Sequence, residues 1–94
     1  MAQMHEIGAL VGRASKGNGE AAFELGMAYS TGSGGVPVDL VQAHRWLNVA
    51  TLCGYTPAAA WRQEIAMEME RGDVVEAQRL ARATVVVPLP RQAA

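Results

Sequence analysis

The helical pattern is clearest in residues 21–54, which read AAFELGMAYSTGSGGVPVDLVQAHRWLNVATLCG. Small and apolar residues recur there every three or four positions, as on the buried side of a helix. The first stripe, over about 20–31, consists of Ala22, Leu25, Gly26 and Tyr29; the second consists of Leu40, Ala43, Trp46, Leu47 and Ala50. Between them, residues 31–38 contain three glycines and a proline, which exclude a helix and predict a loop.

Start and stop signals frame these two helices and place a third before them. Asp39, with Gln42 three residues on, has the pattern of a capping box that opens the second helix, and Cys53-Gly54 closes it. An earlier helix over 4–16 ends at Gly17-Asn18-Gly19. Its stripe consists of Ile7, Leu10, Val11 and Ala14.

Two more helices are predicted after residue 54. Thr56 followed by Pro57 predicts the start of a helix over about 57–71, which Gly72 ends. Its buried stripe consists of Ala58, Trp61, Ile65 and either Met69 or Ala66. Asp73 with Glu76 predicts a further capping box and a short fifth helix. That helix aligns Val74, Ala77, Leu80 and Ala81.

The chain is therefore expected to be all-α, with about five helices in a single domain over 1–83. Its 94 residues leave no room for a second domain. Residues 84–94 form a different segment, because Val85-Val86-Val87 and Pro88-Leu89-Pro90 favour extended geometry over helix. We expect an extended tail there, lying on the helical body or reaching a partner.

An internal repeat is visible in the helical part. Aligning Ala14 with Ala50 places Leu10 opposite Trp46 and implies a period of about 36 residues, the size of a helix-turn-helix repeat. Residues 21–54 resemble one complete Sel-one-like repeat, a relative of the tetratricopeptide repeats, with partial repeats on either side. The matching positions are Ala22, Leu25, Gly26, Tyr29, Gly32, Gly35, Asp39, Ala43, Trp46, Ala50 and Gly54.

The resemblance implies a short α/α solenoid of a bacterial type, in which these positions are structural. Ser33-Gly34-Gly35 makes the loop one residue longer than the family pattern. Some relatives have been assigned hydrolytic activity on cell-wall-derived substrates, but those members carry cysteine pairs in each repeat. This chain has one cysteine, so hydrolase-like activity is kept only as a remote alternative.

No group of residues has the spacing of a catalytic, cofactor-binding or metal site. His5 and His44 lie 39 residues apart with no ligand residues at metal-binding spacing, and Cys53 has no nearby histidine to activate it. Gly32-Ser33-Gly34-Gly35 lacks the preceding strand and the following Lys-Ser/Thr pair of a phosphate loop. We therefore predict no enzyme, no cofactor and no metal.

Composition narrows the partners and the location. A net charge of −1 disfavours nucleic acid. The single cysteine excludes a disulfide within the chain, no apolar run approaches the roughly 20 residues of a membrane span, and no signal peptide is visible. We expect a cytoplasmic protein without a transmembrane segment.

Protein binding is the predicted function. Repeat folds bury their faces by stacking, and roughly three repeats are usual, whereas this chain has one complete repeat. That shortage favours a partner and predicts a non-catalytic adaptor or accessory subunit. The alternative is a self-assembling homo-oligomer. The predicted partner-binding residues are Phe23 and Met27 on the first helix of the repeat, and Val85, Val86, Val87 and Leu89 in the tail.

Overall fold

The computed structural model describes residues 4–84 and contains five α-helices in that range. They are α1 (Met4–Ser15), α2 (Gly19–Thr31), α3 (Leu40–Leu52), α4 (Pro57–Ala66) and α5 (Arg71–Thr84). No strand occurs among the described residues. The prediction of an all-α chain with five helices is confirmed. The predicted start of the tail at residue 84 is wrong, because Thr84 is the last residue of α5, and the rest of the predicted tail lies outside the described residues.

The two helices of residues 21–54 form a tight antiparallel hairpin. Gly26 of α2 faces Leu47 of α3, and a Cβ built on Gly26 would lie 2.6 Å from Leu47 Cγ. At the other end of the pair, the Asp39 N–H donates to the Tyr29 carbonyl (3.0 Å). Only glycine allows two backbones to approach this closely, so the Leu-Gly pair of α2 sets the spacing of the hairpin.

The connection between α2 and α3 is a loop that contains three glycines. The loop predicted over 31–38 is confirmed from Gly32 onward, whereas Thr31 still belongs to α2. Gly32 (φ 80°) closes α2 by donating its N–H to the Ala28 carbonyl at 2.7 Å, and Gly34 (φ 74°) also occupies the left-handed region. Glycines at these positive φ values allow the chain to turn tightly before it enters α3.

The helix starts follow local side-chain chemistry, with one addition. Asp39 Oδ1 accepts the Gln42 N–H at 3.1 Å, which confirms Asp39 as the N-cap of α3. Gln42 does not complete the box, because its Oε1 accepts a hydrogen bond from Arg45 (2.9 Å). Asn18, predicted only as part of a turn, caps α2 by accepting the Ala21 N–H at 2.9 Å.

The predicted boundary between α4 and α5 is wrong. α4 ends at Ala66 instead of about 71, because i→i+3 hydrogen bonds after Ile65 tighten the chain into a turn. α5 begins at Arg71, so Gly72 lies inside it instead of ending α4.

The predicted caps of both helices are also wrong. Asp73 does not cap α5, because its N–H is bound by the Glu70 carbonyl at 3.0 Å, one turn earlier. Glu76 pairs with Arg79 instead (2.7 Å). At the start of α4, the Thr56 side chain makes no capping hydrogen bond, although Pro57 takes the first helical position as expected.

The central helix of the fold is α3. It packs against α2, α4 and α5, and these are the three most extensive contacts between helices in the described range. The core is built largely from alanine, and its largest fully buried side chains are Leu25, Leu47 and Val49. The fully or nearly buried repeat positions are Ala22, Leu25, Gly26, Ala43, Trp46 and Ala50. A core of this kind is thin, so each helix depends on a few contacts.

The stripes of the last two helices are only partly correct. In α4, Ala58 and Ile65 are buried, but Trp61 is 46% exposed and does not belong to the core. In α5, Ala77 and Ala81 are buried, whereas Val74 and Leu80 are half-buried. Trp61 is displaced because Arg62, bound to α3, occupies the inward position between Ala58 and Ile65.

Candidate protein-interaction surfaces

The predicted partner residues Phe23 and Met27 lie on the same side of α2, one turn apart. Both are half-buried and pack against the edge of the core. Phe23 contacts Tyr55, with ring centroids 5.1 Å apart and planes inclined at 42°. The structure thus brings Phe23, Met27 and the turn between α3 and α4 together into one partly exposed apolar strip. Its role in binding stays a prediction.

The other predicted partner residues, Val85, Val86, Val87 and Leu89, lie outside the described residues. The last described residue, Thr84, is held by several hydrogen bonds. Thr84 Oγ1 accepts hydrogen bonds from Arg45 Nε (3.0 Å) and Nη2 (2.8 Å), and it donates to the Leu80 carbonyl (2.7 Å). These contacts attach the end of α5 to α3.

A second apolar surface lies on α4 and was not predicted from the sequence. Trp61 is 46% exposed and Met67 75% exposed. Large apolar side chains that are exposed elsewhere in the described range are Val38, Leu52 and Val75. Trp61 and Met67 differ from these because both lie on the same side of one short segment of the chain, with exposed Glu64 between them. We name this surface, formed by Ala60, Trp61, Glu64, Met67 and Glu68, the α4 outer face.

A sequence signal for the α4 outer face did exist in the helical spacing. Ala58, Arg62 and Ile65 are also separated by three or four residues, so they define a stripe as regular as one through Trp61. The stripe with Arg62 can face the core only if another helix supplies a hydrogen-bond partner for the arginine side chain. The structure supplies it: Arg62 Nη1 donates to Asn48 Oδ1 of α3 at 2.7 Å.

The contact between Arg62 and Asn48 belongs to a small polar cluster beneath α4. Asn48 is 7% exposed and His44, one turn earlier on α3, is 2% exposed. His44 Nδ1 has no hydrogen-bond partner among the described residues. Burial, assisted by the positive charge of Arg62, lowers the pKa of His44 below its ordinary value. The imidazole is thus held neutral inside the domain, where it contributes to packing.

Cys53, at the end of α3, is half-buried, and its Cβ lies 3.4 Å from the position that a Cβ on Gly19 would occupy. Burial raises the pKa of its thiol, which keeps the sulfur protonated at neutral pH. A protonated thiol is a poor nucleophile. Packing between α3 and the start of α2 accounts for this residue.

A shallow depression between α1 and α2 is lined by Glu6, Ala9, Leu10, Arg13 and Glu24. Over residues 4–84, no three His, Cys, Asp or Glu side chains are grouped so that they could hold a metal ion. Within the same range, no helix has both the length and the apolar character needed to cross a bilayer.

Comparison of the chain with protein-family models, curated proteins and solved structures finds no match.

Proposed function

We propose that the chain is a non-catalytic protein-interaction module that acts as a small adaptor or accessory subunit of a larger complex. One observation carries the proposal: a domain with a thin core leaves Trp61 and Met67, two large apolar side chains, exposed on one helix. Burying such side chains is favourable, and tryptophan is enriched among the residues that dominate binding energy. The resemblance of residues 21–54 to Sel-one-like repeats supports the same function, because repeat folds of this type present helices to other proteins.

The composition supports a protein partner in the cytoplasm over a nucleic acid. The net charge of −1 provides no long-range attraction for phosphates. The single cysteine, Cys53, cannot form a disulfide within the chain, which agrees with a reducing compartment.

The experiment is an affinity pull-down of the tagged full-length chain from its native cell extract, with complex mass and stoichiometry read by light scattering. A single partner in a fixed ratio is expected. Phe23→Ala tests the partly exposed apolar strip that contains Phe23 and Met27. Glu24→Ala, at the neighbouring exposed position, is the matched control. Deletion of 85–94 tests the tail and leaves the contact between Thr84 and Arg45 in place. Recovery of a bare monomer would contradict the proposal.

Self-assembly is the second candidate. α4 and α5 both pack on α3, and each leaves one large apolar side chain exposed, Trp61 and Val75, that another copy could cover. A homodimer would show a melting temperature that rises with protein concentration. A mass of one chain at micromolar concentration would exclude it.

A further inference from the structure

The α4 outer face combines apolar and acidic side chains on one side of the chain. Glu64 is separated by three or four residues from each of Ala60, Trp61, Met67 and Glu68, which places all five on one side of a helix with Glu64 at the centre. α4 ends at Ala66, but Met67 (φ −66°, ψ −18°) keeps helical backbone angles and extends the same side into the turn. A shallow depression lies between Ala60, Trp61 and Glu64. The face thus joins an indole and a thioether to two carboxylates.

Within the described range, the fold does not balance the negative charges of the Glu64 and Glu68 carboxylates. Glu64 and Glu68 are near the C-terminal end of α4, which carries the partial negative charge of the helix dipole. The last turn of α4 contains no basic residue, and within residues 4–84 neither glutamate forms an ion pair. The nearest arginine along α4, Arg62, is directed inward and bound to Asn48. Cations brought by another molecule would relieve this unfavourable arrangement.

The carboxylates that follow serve the fold instead. Glu70 and Asp73 are at the N-terminal end of α5, the positive end of its dipole, where acidic residues are stabilising. Glu64 and Glu68 therefore differ from these residues in lying near the negative end of a helix instead of the positive end.

We propose that the α4 outer face binds a basic amphipathic segment of the protein partner; this inference rests on the proposed function. An arginine or lysine of that segment lies against the Trp61 indole and pairs with Glu64 or Glu68, combining a cation–π contact with a charge-assisted hydrogen bond. A neighbouring apolar side chain of the segment packs on Met67, whose flexible thioether adapts to irregular shapes.

Charge also decides against a second copy as the occupant. A two-fold interface centred on this face would bring the same surface from both chains together. Glu64 and Glu68 of one chain would then oppose the same residues of the other without a cation between them, and like charges placed opposite each other across an interface are strongly unfavourable. A partner of opposite charge avoids this cost.

The test selects a random 16-residue peptide display library against the full-length chain, with counter-selection on Trp61→Ala. We expect the enriched peptides to carry arginine or lysine three or four positions from an apolar residue. Their affinity should fall at least tenfold for Trp61→Ala and for Glu64→Gln/Glu68→Gln, and it should weaken as salt is raised. The matched controls are Val75→Ala, an exposed apolar residue on α5, and Glu20→Gln/Glu24→Gln, an equal change of charge on α2.

Several results would overturn the inference. These are enrichment of neutral or acidic peptides, failure to enrich any peptide, an equal loss of affinity in the control variants, or a dimer of the wild-type chain that Trp61→Ala converts to a monomer. The proposed function fails separately. If the wild-type chain and Trp61→Ala capture the same partner equally well from extract, the adaptor function stands while this surface is wrong. If no partner is captured, the function itself is wrong.

Discussion

Replacing Gly26 with alanine tests the contact that sets the spacing of the α2–α3 hairpin. A Cβ at this position would lie 2.6 Å from Leu47 Cγ, 2.7 Å from Leu47 Cδ2 and 3.2 Å from the Ala43 carbonyl oxygen. Carbon atoms in contact are normally about 3.5–4.0 Å apart, so Leu47 would have to move by about 1 Å. Leu47 and Ala43 are both fully buried, so neither has free space to move into.

Two opposing effects determine the size of the change. Alanine is favoured over glycine inside a helix by about 1 kcal/mol. Inserting a methyl group into a close-packed core costs about 1–3 kcal/mol, and the short distances to Leu47 place Gly26→Ala in the upper part of that range. We therefore expect a net loss of about 1–2 kcal/mol in the free energy of unfolding.

Urea denaturation followed by circular dichroism at 222 nm measures this difference. The matched control is Gly8→Ala in α1, where a Cβ would meet no atom within 4 Å. The same substitution should stabilise the protein there, by about 0.5–1 kcal/mol. Opposite signs for the two variants are the expected result. An increase in stability for Gly26→Ala as large as that for Gly8→Ala would refute the close approach of the two backbones.

The remaining predictions concern α3 and α4, and urea denaturation also reads them out. Trp61→Ala should cost about 1 kcal/mol or less because the indole is nearly half exposed, whereas Ile65→Ala should cost about 2–4 kcal/mol; equal costs would contradict the outward position of Trp61. Asp39→Ala removes the cap of α3 and should cost about 1 kcal/mol, while Asp73→Ala, which removes no cap, should cost clearly less. The free energy of unfolding should fall as pH drops below about 6.5. At that pH the histidine is protonated in the unfolded chain, whereas buried His44 in the folded chain has a lower pKa and stays neutral until the pH is lower still. His44→Gln should flatten this slope, and an unchanged pH profile would show that His44 does not cause it.

The α2–α3 hairpin was predictable because its determinants are local. Asp39 caps α3 through a hydrogen bond to a residue three positions away, and Gly32 closes α2 through one to a residue four positions back. Gly26 was predicted to lie in the buried apolar stripe of its helix, where the missing side chain of a glycine leaves room for a neighbouring helix. Interactions over three or four residues can be read from a sequence without knowing the rest of the fold.

The end of α4 was not predictable in this way. The sequence continues with good helix formers through Met69, and Gly72 is the first obvious terminator. The chain nevertheless turns after Ala66 and brings Met69 back against the core. A tertiary contact outweighed helix propensity here, which is common because propensity differences are only tenths of a kcal/mol per residue.

The candidate surfaces show the same difference between features set by nearby residues and features set by contacts between helices. Phe23 and Met27 were predicted from helical spacing, and the structure places them on one side of α2, partly covered. Trp61 was assigned to the core because a large apolar residue at helical spacing is usually buried. Its true position depends on the hydrogen bond from Arg62 to Asn48, two residues on different helices. Sequence spacing alone cannot reveal such a pair.

The attachment of α4 links stability to binding. α4 is held to α3 by two buried side chains, Ala58 and Ile65, and by the hydrogen bond from Arg62 to Asn48. A helix with so few buried contacts is expected to open before the α2–α3 hairpin does. A ligand that binds only the folded α4 outer face stabilises the folded form by RT ln(1 + [L]/Kd), about 2.7 kcal/mol when its concentration is a hundred times Kd. That gain is similar to the cost expected for Ile65→Ala, so a partner bound to the α4 outer face would stabilise α4 about as much as one of its main buried side chains does.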